Sequence, residues 1–177
     1  MNKINILRII AEHVHTLRDF STNRLSAADV VVFFGLPALL AGIAGWYRVG
    51  FNYDVMNALL TAFSIFAGLL LNLLLLVFSF ADRLEVSGSF QSVRQQLLKE
   101  VHSNIAFAIL VSMAIVVVAI VAVIRLKMAS GPSYTGPILT GTLVYFIANF
   151  VLTLLMILKR MHILMSQQLK QSMKRSA

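Results

Sequence analysis

The chain has no cysteine, which excludes disulfide-stapled folds and any thiolate metal site. Acidic residues are scarce, seven Asp and Glu against fifteen Lys and Arg. Charge is missing altogether from four apolar stretches, residues 30–47, 55–81, 103–124 and 138–158, none of which contains Asp, Glu, Lys, Arg or His. Proton-coupled carriers and pumps usually depend on such groups inside the membrane, so a proton-driven exporter is not expected. The catalytic patterns His-Glu-x-x-His and Gly-x-Ser-x-Gly are absent, as are a glycine-rich phosphate loop and a carboxylate cluster fit for a divalent metal. Neither enzymatic activity nor a cofactor is expected.

What is present is apolar. Hydrophobic residues make up 59% of the 177, charged residues 12%, and the mean hydropathy is +0.85, outside the usual range of a soluble domain. Each of the four stretches is about the roughly 20 residues that a helix needs to cross a 30 Å hydrocarbon layer. They lack the strict alternation of outer-membrane barrel strands, and in lipid the backbone must satisfy its own hydrogen bonds. The expected fold is therefore an all-α integral membrane protein of four transmembrane helices with cytoplasmic helical extensions. Its parts are an amphipathic arm (1–27), a transmembrane domain (28–158) with a helical cytoplasmic loop (82–104), and a basic helical tail (159–177).

Orientation follows from the basic residues. Twelve of the fifteen Lys and Arg fall in the arm, the central loop and the tail, and only Arg48, Arg125 and Lys127 in the two other loops. The positive-inside bias then places both termini in the cytoplasm of a multi-pass protein, the bacterial inner membrane being the expected site. Trp46, Tyr47, Phe51 and Tyr53 mark the outer end of the first hairpin, where amphipathic rings favour the interface. Asn5 and Arg8 interrupt the apolar run that follows Lys3, and Glu12, His13 and His15 stand where a cleavage site would be, so a signal peptide is not expected. Ile6, Ile10, Val14 and Leu17 instead share one helical face. That face is suited either to the inner membrane surface or to the cytoplasmic ends of the spans.

Small and polar residues carry the remaining information, because helices in lipid associate through close packing and interhelical hydrogen bonds. Gly35, Ala38, Gly42 and Gly45 form a smooth face on the first span, and Pro37 is expected to kink it. Asn57, Thr61, Ser64, Gly68 and Asn72 run as one polar stripe along the second span, with Thr142, Tyr145, Asn149 and Thr153 as a counterpart on the fourth. These stripes are candidate pore lining, or they pair with each other inside the bundle. The third span offers only Ser112 and is expected to face lipid. The four histidines, His13, His15, His102 and His162, are expected at solvated or interfacial positions. In the tail, Met161, Met165, Leu169 and Met173 recur every four residues beside Lys170, Lys174 and Arg175, a candidate partner-binding surface.

The formal charge of +8 and pI of about 10.3 are explained by anionic lipid and topology, so direct nucleic-acid binding is not expected. Three functions remain open. One is a homo-oligomeric scaffold or sensor docking a cytoplasmic effector protein, the second a pore-forming or permeability-altering effector, and the third an accessory subunit of a transport complex. In size, in having both termini inside and in its cytoplasmic helix content, the chain resembles the small four-spanning membrane components of bacterial anti-phage defence systems, such as the Kiwa membrane subunit. That resemblance implies an inner-membrane protein that senses envelope perturbation, or depolarises the membrane, together with a soluble effector. It assigns no role to any particular residue.

Overall fold

In the computed structural model the described residues are 6–16, 30–82, 91–129, 131 and 133–176, with side chains described for 6–14, 16, 30–79, 96–129, 131 and 133–166. Among them there is no strand. The helices are α1 (Ile6–His15), α2 (Val31–Trp46), α3 (Tyr53–Asp82), α4 (Gln91–Met128) and α5 (Pro137–Ser176). Three of these, α3, α4 and α5, are long and apolar enough to cross a membrane. Helix α2 is equally apolar but shorter, and its sixteen residues rise about 24 Å at 1.5 Å each. At 38 and 40 residues, α4 and α5 extend roughly 57 and 60 Å, far beyond what their apolar windows need.

The helices pack in the order α3, α4, α5, α2, with α1 laid across α4. Helix α4 is therefore the central element and not the lipid-facing one. Its apolar window is 44% buried, against 17% for that of α3. The scarcity of polar residues, Ser112 alone in the middle of the stretch, suggested lipid exposure but suits a bundle centre equally well, since its neighbours there are largely apolar. The decisive feature is size: Ala108, Ala119 and Ala122 are completely buried and let the flanking helices approach. Helix α3 meets α4 along Met56, Phe63, Leu70 and Val77, a row that repeats every seven residues, the period of a left-handed helix pair.

Helix α2 begins with a π-helical turn, Val31–Gly35, in which the Leu36 amide donates to the Val31 carbonyl five residues back. Pro37 follows at once and has no amide to give the Phe33 carbonyl, its normal partner four residues earlier. The expected kink thus takes the form of a widened turn. At the far end α2 stops on Arg48, whose φ of 49° is left-handed. The two loops at this end are joined where the Phe51 amide donates to Thr135 Oγ1 at 2.9 Å and the Thr135 amide to the Phe51 carbonyl at 3.0 Å. Gly50 allows the junction, because a Cβ there would lie 2.7 Å from that of Tyr134. Of the aromatic residues at this end, Trp46, Tyr47, Tyr53 and Tyr134 are exposed, while Phe51 is half-buried in the junction.

Candidate functional site

The polar groups gather in two places, a latch at the arm end of the bundle and the stripe along α3. The latch is built on His13, which α1 drives between α2 and α4 until the residue is 1% exposed. Its ring stacks on Phe107 at 3.8 Å between centroids and meets the edge of Phe33 at 5.6 Å. Nδ1 lies 2.9 Å from Asn104 Oδ1, which the Thr16 hydroxyl also approaches at 2.9 Å, the same hydroxyl being 2.6 Å from the His13 carbonyl. With Asn104 Oδ1 accepting, the imidazole proton belongs on Nδ1. His13 Nε2 and Asn104 Nδ2 are then buried without a hydrogen-bond partner among the described residues. Burial, with a smaller push from the Arg160 charge, lowers the His13 pKa from 6.5 to about 4 despite the bond to Asn104. The ring is thus held neutral at physiological pH.

Arg160 completes the latch from α5. It donates to the Thr16 carbonyl at 2.6 Å and pairs with Glu100 of α4 at 3.1 Å. The Arg160 and Glu100 side chains are 13% and 24% exposed, so screening by solvent is reduced there. Arm, α4 and α5 are locked together at Glu100 and Arg160, which lie just beyond the uncharged stretches 103–124 and 138–158. This also decides the position of the arm: Ile9 and Ile10 pack on the core while Ile6 and Leu7 stay on the surface. His13, expected at a solvated or interfacial site, is buried instead. His102 and His162 are exposed, and no group of three metal-ligating side chains occurs among the described residues.

The two polar stripes do not face each other, because α4 separates α3 from α5 and the latter two touch chiefly through Phe63, Phe66 and Phe150. On α5 the stripe turns inward. Asn149 Nδ2 donates to the Phe33 carbonyl at 3.1 Å, occupying the acceptor that Pro37 leaves open. Thr153 returns its hydroxyl to the Asn149 carbonyl, Thr142 does the same to Ile138, and Tyr145 lies half-buried beside Phe146. Asn149 and Thr153 therefore bind helix to helix or helix to itself and do not line a path.

On α3 the stripe turns outward. Thr61, Ser64, Gly68 and Asn72 are exposed and Asn57 half-exposed. Ser64 bonds back to the Leu60 carbonyl, while the Asn72 amide has no side-chain partner among the described residues. The small-residue face of α2 also divides. Gly35, Ala38 and Gly42 are exposed, and only Gly45 turns toward α5, near the Pro137 carbonyl. The close approach is made instead by Ala41 and Gly141, where a Cβ on the glycine would meet the Ala41 carbonyl at 3.4 Å. In the tail, Met161 is half-buried against the core and Met165 exposed. The side chains of Leu169, Lys170, Met173, Lys174 and Arg175 lie outside the described residues, although the helix itself continues to Ser176.

Sequence reasoning missed the latch. Its signal was available in a polar pair, Ser103 and Asn104, at the inner border of the third apolar stretch, opposite a helix with His and Thr three residues apart. Comparison of the chain with family models, with curated proteins and with solved structures gives no match.

Proposed function

We propose that this is a non-enzymatic, oligomeric scaffold or sensor of the bacterial inner membrane that docks a cytoplasmic effector protein. In this reading α2 to α5 all cross the bilayer, with the arm, the start of α4 and the end of α5 in the cytoplasm. The observation that carries it is the length of α4 and α5. Both continue as unbroken helices past their uncharged stretches, by twelve residues before Ser103 and eighteen after Leu158, and the Glu100–Arg160 pair with the His13 latch joins them there. Rigid helices leaving a membrane in a fixed relation can transmit a change in the bundle to a bound protein. The basic tail supplies the charge for an acidic partner, with Met165 exposed at its base. The resemblance to anti-phage membrane components supports envelope perturbation as the stimulus.

Docking is tested by placing a photo-crosslinking amino acid at Met165 in living cells. A discrete adduct with one cytoplasmic protein is expected, and none from the same probe at Leu155, which is exposed on the apolar part of α5. Equal labelling from both positions, or from neither, contradicts docking.

The outward stripe on α3 favours a second reading, a pore formed by several chains. Each would turn Thr61, Ser64 and Asn72 toward a shared axis. Solute flux that depends on these residues distinguishes the two.

A further inference from the structure

The outward face of α3 follows a stricter rule than a polar stripe. Thr61, Ile65, Gly68, Asn72, Leu75 and Ser79 are all exposed, and they follow one another at spacings of four, three, four, three and four. This is the 3.5-residue repeat of a helix that pairs in a left-handed crossing. Helix α3 thus carries two seams. One, through Met56, Phe63, Leu70 and Val77, is occupied by α4. The other lies on the opposite side, since Asn72 stands two residues beyond Leu70 and so roughly 160° from the occupied row.

We infer that the second seam is filled by α3 of another copy of this chain, in a parallel homodimer centred on Asn72. The inference rests on the membrane placement proposed above. The amide decides the occupant. Hydrocarbon offers it no partner, and a carboxamide is both donor and acceptor. About a two-fold axis along the membrane normal each residue meets its own counterpart at equal depth. Asn72 then faces Asn72, and each amide can donate to the other. The remaining positions suit close approach: a Cβ at Gly68 would meet nothing within 4 Å, and the bulky Phe66, turned toward Phe63 and Phe150, and Phe78 lie outside the seam. A single amide in an otherwise apolar seam also fixes register, since any slip separates the pair.

The cysteine-free chain lets single cysteines report position by position. In native membranes, copper-phenanthroline oxidation of Thr61→Cys, Ile65→Cys, Gly68→Cys, Leu75→Cys and Ser79→Cys is expected to yield a product of twice the chain mass. Phe66→Cys, Leu69→Cys and Leu76→Cys should yield several-fold less. In the Ile65→Cys background, Asn72→Leu should lower the dimer fraction about tenfold and Asn72→Gln should retain it. Cross-linking that is uniform along α3, that peaks at Leu69 and Leu76, or that joins the chain to a product of another mass overturns the proposal. A separate control addresses the membrane placement: Gly68→Cys in sealed inside-out vesicles should resist an impermeant maleimide that labels Met165→Cys. Rapid labelling of Gly68→Cys would overturn that placement itself, whatever the cross-linking pattern.

Discussion

Protonating His13 in the docked arm would place a charge between Phe33 and Phe107, beside the cation of Arg160. The free arm carries the ordinary pKa of 6.5 and the docked arm about 4, so between those values the detached state binds more protons. Docking is therefore fully stabilised above about pH 6.5 and weakens as pH falls toward 4, by a total of about 3 kcal/mol. Hydrogen exchange of the Ile6–His15 amides, corrected for intrinsic rates, should accelerate at pH 5 relative to pH 7.5. His13→Phe should remove that dependence. Asn149 makes a second prediction possible. Replacing it by Leu leaves the Phe33 carbonyl buried and unpaired, a loss of about 1–3 kcal/mol, readable as a lower unfolding temperature in detergent. Combined with Pro37→Ala, which returns the missing amide, the same change should cost much less.

At the scale of the element, the existence of the helices was legible and their facing was not. Apolar length alone placed α3, α4 and α5, and Pro37 announced the irregular turn in α2. Facing was misread for α4 because a helix without polar residues looks the same from the sequence whether lipid or other helices surround it. Of the two arrangements open to the stripes, mutual pairing does not occur within the chain, since the polar residues of α5 serve α2 and α5 itself. The latch went unseen because His13 and Asn104 are 91 residues apart, and nothing local marks their meeting. The central place of α4 predicts an asymmetry. Ala119→Leu, at a fully buried position, should destabilise by about 1–3 kcal/mol through overpacking. Val117→Leu, 61% exposed, should be nearly neutral in the same unfolding assay.

For the whole molecule, the serial order α3, α4, α5, α2 leaves two edge helices, each with one face unoccupied by the described residues. The α3 face carries an amide, and the α2 face is smooth. Polar groups inside the bundle are used within it: Asn149 joins α5 to α2, while Thr153 and Ser112 return their hydroxyls to carbonyls of their own helices. Among the described residues, open cavities lie at the loop end, between α4 and α5, and on the outer surface of α2, and neither of these follows the α3 stripe. Among the described residues of a single chain no polar route runs along the bundle, while its longest helices lead out of the apolar region toward one end. That arrangement suits the passing of a conformational signal better than the passing of ions.

Flux through reconstituted vesicles separates these two roles most directly. The protein, in vesicles loaded with a self-quenched dye and a potassium gradient, should release neither faster than lipid alone, and neither Asn72→Leu nor a chain ending at Arg160 should alter this. Rapid flux in the wild type that is abolished by Asn72→Leu and unaffected by removing residues 161–177 would contradict the scaffold and establish a pore.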